Sequence, residues 1–375
     1  VRSGDATTGR QKTGLYVLIV LAAVLMALSV VLIVGFPQED YVRPSSASGE
    51  TFSQVNGFDC DLNEARKLYP LGNGLLKLGR DMVSYVDYEG NEKFSESIVM
   101  ETPACHISGE YALIMDLTGT SFALINTDGV VYKEQTPYTI DYGNVSDQGY
   151  AAVLFDKPGL KGVVRFLAPD GSRLFEWESV ESGFIVSARI SGEINRADAV
   201  VYNTDGAQPY PIMRRFSLNG ESVAQFYPET DEILTSIIYN TSDEPVLFGG
   251  SSIIKPGNNG FEIRFNKIYA AAETQYGIIF IARRDIDDTP MMYKLSDDGT
   301  LGTGILMSEE ITGLTVNSEN AAAGLGNTVL YIDIKQMRIL SGISVEASLI
   351  RIGFNAAGDK LVVVSTEGIK SYKVK

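Results

Sequence analysis

Histidine occurs once in this chain, as His106, and it stands beside one of only two cysteines, Cys105; the other is Cys60. A single imidazole supplies neither a multi-histidine metal site nor a haem pocket, and a Ser/His/Asp triad would rest on His106 alone. His106 is therefore expected in a structural role on an inner strand. Two cysteines do not make a disulfide framework. A Cys60–Cys105 bridge and a pair of buried free thiols both fit. No Gly-x-Ser-x-Gly elbow is present, which removes the usual hydrolase nucleophile. Carboxylates cluster at Asp285-Ile286-Asp287-Asp288 and at Asp231-Glu232. Grouped oxygens of this kind can hold Ca²⁺, but the Asp-x-Asp-x-Asp-Gly spacing is missing, so both read as solvated loop charge. No catalytic residue, metal or cofactor is expected.

The elements that would position any site are announced by a recurring turn. A hairpin-type Gly stands at Gly90, Gly129, Gly171, Gly220, Gly260, Gly299 and Gly368, with gaps of 39, 42, 49, 40, 39 and 69; the last divides in two near Lys335-Gln336. Each turn is flanked by short apolar or aromatic runs. A period near 40 built from strands is the signature of propeller blades. The 37 glycines, 19 tyrosines and 16 phenylalanines suit an all-β chain dense in turns. Blade two reads most clearly, as residues 104–108, 111–116, 121–126 and 130–134. The final unit, 348–354, 360–365 and 369–374, stops after three strands. An open ring would leave an exposed sheet edge, so a fourth strand must come from the other end of the chain. Thr51 to Val55 is the expected donor. The count gives an eight-bladed propeller over residues 51–375, with seven blades as the alternative because blade one is the least regular.

The corner Phe354-Asn355-Ala356-Ala357-Gly358-Asp359-Lys360-Leu361-Val362, with a second copy at Val145-Ser146-Asp147-Gln148-Gly149-Tyr150, resembles the inner-strand corner of WD40-type and quinoprotein-type propellers. The Trp-Asp dipeptide of WD40 repeats is absent, since the one tryptophan, Trp177, precedes Glu178. Quinoprotein cofactor-stacking residues are not visible either. Ser296-Asp297-Asp298-Gly299-Thr300 resembles the sialidase Asp-box with one spacer missing, and a plain Asp-Gly hairpin explains it. As a whole the chain is similar to membrane-anchored propellers of Gram-positive bacteria, a resemblance that implies no activity.

The first fifty residues follow different rules. Leu15 to Val34 is a run of 20 uncharged residues interrupted only by Ser29, long enough as a helix to cross a hydrocarbon core of about 30 Å. It predicts an uncleaved signal anchor over 15–36, a cytoplasmic tail over 1–14 and a flexible linker over 37–50. Arg2, Arg10 and Lys12 precede the run, and Glu39 and Asp40 follow it, so the positive-inside bias sends the propeller out of the cytoplasm. Ala23 and Ala27 form a small-xxx-small pair, the one hint of a homodimer. Val1 fits a GTG start codon read literally. Residues 1–36 hold three bases and one acid, which leaves 28 bases against 46 acids beyond them. That surface disfavours nucleic acid.

Inner strands line the channel of any propeller, so Asp141, Arg189 and Arg351 are the ionisable residues expected nearest to it, subject to strand register. Tyr138, Tyr142, Tyr210 and Tyr227 are the candidate ligand-binding aromatics. The leading expectation is a non-enzymatic, single-pass cell-envelope protein whose propeller binds a membrane or envelope protein. A surface carbohydrate or small-ligand sensor is the alternative, and an enzyme at the channel mouth comes third.

Overall fold

The computed structural model describes residues 41–42, 52–181, 183–307 and 310–374. The predicted anchor and the Ala23/Ala27 pair lie outside them, and no helix among the described residues is long and apolar enough to cross a membrane. Eight antiparallel four-stranded sheets form blades one to eight over residues 68–97, 103–135, 139–178, 184–226, 236–264, 267–306, 311–344 and 349–373. The eight-bladed count replaces the seven-bladed alternative.

Blade eight supplies only three strands from the C-terminal end, Leu349–Phe354, Lys360–Ser365 and Gly368–Lys373. Its outermost strand is Ser53–Asp59, paired antiparallel with Gly368–Lys373. The donor overlaps the expected Thr51 to Val55 at residues 53–55 and continues to Asp59. Its ladder starts at Ser53 opposite Lys373 and ends at Asp59 opposite Gly368. Within the expected linker, Tyr41–Val42 pairs in parallel with Gly304 and Ile305 and adds a fifth strand to blade six.

The second strand of each blade is buried on both faces, which is why it reads as a continuous apolar run rather than an alternation. In Lys360–Ser365, Leu361 and Val363 pack toward blade seven, whereas Val362 and Val364 pack toward blade one. The same division runs round the ring, and eight apolar clusters sit one at each blade-to-blade contact. Each blade is thus held by its two neighbours, and the closing strand matters because it completes the last blade of the ring.

Antiparallel order sorts the connections onto two faces. Where inner strands end, the chain makes tight turns between first and second and between third and fourth strands; this is the turn face. The opposite loop face carries the second-to-third loops and the connections between blades. Six of the seven periodic glycines, Gly90, Gly129, Gly171, Gly220, Gly260 and Gly299, lie in third-to-fourth turns. Gly368 is out of phase, in the second-to-third turn of blade eight, because that blade takes its fourth strand from elsewhere. Gly171 needs its residue type: its φ is +83°, and an added Cβ would lie 2.8 Å from Cγ of Tyr132.

Candidate functional site

The turn face is bound together by its own side chains. Gln148 Nε2 of blade three donates to the Gly192 carbonyl of blade four at 3.3 Å, and Gly192 N donates to Asp243 Oδ1 of blade five at 2.8 Å. Thr241 and Ser242 of blade five donate through their hydroxyls to Asp297 of blade six at 2.8 and 2.6 Å. Burial alone would raise the Asp297 carboxyl; these hydrogen bonds outweigh it and hold the group below its usual range. Gln275 then reaches the Ser318 carbonyl at 2.7 Å, Asn317 the Gly358 carbonyl at 2.9 Å, and Asn355 the side chain of Asn73 at 3.2 Å. These bonds run from blade three round to blade one. The Ser296–Thr300 motif is one link: it is the expected hairpin, closed by Ser296 N to Thr300 O at 3.0 Å.

Beneath this face, Asp198 is fully buried between blades four and five. Arg215 Nε donates to Asp198 Oδ1 at 3.0 Å and Tyr239 Oη to Oδ2 at 3.1 Å. Arg196 lies 3.7 Å from Asp198 and bridges Asp243 at 3.2 Å. Burial raises the Asp198 carboxyl, with Arg215 foremost among the groups that oppose the rise. Sequence reasoning passed over this network. Its one legible signal is an Asp in the apolar run Ala197 to Val201.

The channel-facing expectations divide three ways. Arg189 pairs with Glu273 at 2.7 Å, skipping blade five to join blades four and six, and also donates to the Ile237 carbonyl at 3.2 Å. Arg351 donates to the carbonyls of Arg66 and Leu68 at 3.0 and 3.4 Å and lies 3.8 Å from the centre of the Tyr69 ring. Asp141 is the extra residue of a β-bulge between Ile140 and Tyr142, is exposed, and lines neither channel cavity. Similar bulges occur in the inner strands of blades four, six, seven and eight. Each shifts the alternation by one residue, the step that sequence patterning does not resolve.

Two cavities occupy the channel. One of about 540 Å³ is walled by blades seven, eight, one and two and includes Tyr69 and Arg351. The other, of about 320 Å³, includes His106, Tyr142, Asn144, Arg189 and Glu273. His106 takes the structural part expected of it, since its Nδ1 accepts a hydrogen bond from Val145 N at 3.2 Å and so ties blade two to blade three. Burial, with the Arg189 charge adding to it, pushes the imidazole down to about 4, so it is neutral at pH 7.

Cys60 and Cys105 are free thiols, and the bridge considered from sequence is not formed. The reason is placement. Cys60 packs in the cluster between blades eight and one, while Cys105 packs in that between blades one and two. The loop Asp285–Asp288 closes on itself, with Asp285 N donating to Asp288 Oδ2 at 3.1 Å. Among the described residues no group of three or more His, Cys, Asp or Glu side chains is arranged to hold a metal ion.

The four tyrosines separate as well. Tyr142 faces the channel, and Tyr138 packs on the blade-two and blade-three cluster beneath Lys157. Tyr210 and Tyr227 meet on blade four, ring centres 6.5 Å apart and planes inclined at 40°. They belong to a larger asymmetry. Among the described residues, the exposed large apolar side chains of loops and strand ends are Leu62, Met82, Val99, Val180, Phe184, Tyr210, Tyr227, Ile233 and Ile286. All nine fall on the loop face; Val55, Val131 and Val223 are on outer strands, and Tyr142 is in the channel. None is in a turn of the turn face. Those turns instead hold fourteen acids and one base, Lys335.

A closed eight-bladed ring of four-stranded blades around a polar channel places this chain among the β-propellers. It belongs to the family described as "Family of unknown function (DUF5711)", whose model matches residues 50–373. No curated protein matches it in sequence. Solved structures share the fold at low identity. The Saccharomyces cerevisiae protein Sqt1 is 9% identical, with a TM-score of 0.61 over 86% of this chain and 99% of its own. The C-terminal WD40 domain of Sif2 is 10% identical, with a TM-score of 0.60 over 86% and 98%. BamB from Moraxella catarrhalis is 11% identical, with a TM-score of 0.51 over 86% and 100%.

Proposed function

We propose that this protein is a recognition scaffold of the cell envelope, anchored by the apolar run 15–36, whose loop face binds another protein. The observation that carries the reading is the division of labour between the faces. Exposed apolar side chains are gathered on the loop face, while the turn face spends its side chains on binding neighbouring blades together. Apolar side chains left in water on one rigid surface are what a protein partner can desolvate. The reading is of a binding protein, not a catalyst, and His106 fits it because its ring is engaged in holding two blades. Crosslinking of the full chain in membranes, compared with a secreted form beginning at Gln38, tests it. A stoichiometric envelope protein joined to loop-face residues of the anchored form is the expected result. Contacts confined to the turn face, or no partner with either form, would overturn it.

A small-ligand sensor is the second reading, favoured by the channel. Arg351 lines the larger cavity, stacks on Tyr69 and has no carboxylate partner among the described residues. Thermal stabilisation by small carboxylates, lost in Arg351→Ala, would support that reading; equal stabilisation of both proteins would remove it.

A further inference from the structure

The loop face is not uniform, and its apolar character concentrates over one blade. Val180, Phe184, Tyr210, Tyr227 and Ile233 all belong to blade four or to the connections that enter and leave it, with Tyr227 62% and Phe184 51% exposed. The strand pairing explains how they are presented. Tyr210 opens the third strand and Tyr227 follows the fourth, so the two rings lie together on the side toward blade three. Phe184 opens the inner strand opposite Tyr202, on the side toward blade five. Tyr202 Oη donates to the Asp231 carbonyl, and Leu234 is fully buried, which pins the outgoing connection at both points. That connection is therefore held before anything binds, and less ordering entropy opposes association there.

Its charge is one-sided. Residues 179–183, 204–209 and 227–235 contain Glu181, Asp205, Glu229, Asp231 and Glu232, and no Lys or Arg. The bases around it are already used: Lys161 pairs with Asp205, Lys157 with Glu178, and Arg264, whose charge reaches Asp231 and Glu232, with Glu262. Glu232 is turned inward, accepting from Ser251 N at 2.6 Å and from its hydroxyl at 2.9 Å. Glu181 and Glu229 make no ion pair among the described residues. An apolar platform rimmed by uncompensated carboxylates repels anionic lipid headgroups and acidic peptides, and attracts the opposite pattern.

We propose that the loop face over blade four binds a polypeptide segment in which apolar or aromatic residues are flanked by Lys or Arg. This rests on the scaffold reading and names the partner's chemistry. The apolar side chains of the segment cover Tyr210, Tyr227 and Phe184, and its cations meet Glu181 and Glu229.

The test uses purified full-length protein and short fluorescent peptides sharing one Leu/Phe core, flanked by Lys, Ser or Glu, with binding read by anisotropy at low and high salt. Lys-flanked peptides are expected to bind at least about tenfold tighter than Ser-flanked ones, with the preference shrinking as salt rises, and Glu-flanked ones are expected to bind weakest. The double change Tyr210→Ala with Tyr227→Ala should weaken binding by about tenfold or more at unchanged melting temperature. The pair Glu181→Gln with Glu229→Gln should remove the preference for Lys and leave the core contribution in place. Binding indifferent to flanking charge, or unchanged by both pairs of substitutions, overturns the inference. If crosslinking then joins a partner to loop-face residues away from blade four, the scaffold reading stands and only this assignment falls.

Discussion

The two faces of the ring are made from the same repeated hairpins but are built to opposite rules. On the turn face, Asn, Asp, Gln and Ser side chains reach the next blade, as Gln148 to Gly192 and Asn317 to Gly358 do, so position after position is committed to architecture. On the loop face, blade four leaves Phe184, Tyr210 and Tyr227 in water. The contrast teaches that the most repetitive part of the sequence serves the fold, whereas the exposed aromatic residues of blade four stand where the repeat is irregular.

If the turn face is structural, changes beneath it should cost stability. Asp198→Ala removes the centre of a buried network and should destabilise the protein by about 3–5 kcal/mol, because Arg215 and Tyr239 lose their partner. Chemical denaturation would measure it, and a loss below about 1 kcal/mol would break the comparison.

A second effect comes from the wall of the channel. The His106 imidazole sits at about 4 in the fold and near 6.5 when unfolded, so between those values the unfolded chain binds more protons. Stability from this group is fully present above about pH 6.5 and is lost as pH falls toward 4, by about 3 kcal/mol. His106→Asn should lack that part of the acid sensitivity, as denaturant melts at matched pH would reveal.

Next in size is Gly171→Ala, which places a side chain at φ +83° against Tyr132 and should cost about 1–2 kcal/mol. The smallest stability effect belongs to the other face. Tyr210→Ala with Tyr227→Ala should shift stability by no more than about 0.5 kcal/mol, read by thermal melting, while binding falls as stated above. A large stability loss there would erase the distinction between the faces.

Much of this architecture was legible in the chain. Hairpin turns such as Asp128-Gly129 and Asp170-Gly171 are local, since Gly supplies positive φ at no steric cost, and they phased the blades before any tertiary contact was considered. The missing fourth strand of the last unit also implied closure by the N-terminal end. The site was less legible. Tyr210 and Tyr227 were picked out from sequence, but so were Tyr138 and Tyr142, because tyrosine type alone does not separate a core edge, a channel wall and an open rim. Phe184 carries no such signal in sequence, because an aromatic at the start of a strand has the pattern of any strand residue.

What the sequence by itself determined is therefore what depends on near neighbours: turn positions, the strand-rich period, the apolar second strands and the excess of acid. Tertiary structure decided which side of each strand faces the channel, because a bulge such as that at Asp141 moves the alternation by one residue. It also joined Arg189 to Glu273 across blade five, separated Cys60 from Cys105, and gathered most of the exposed apolar residues onto one face. Those outcomes depend on the closing of the ring, which brings together residues far apart in the chain that local patterning does not connect.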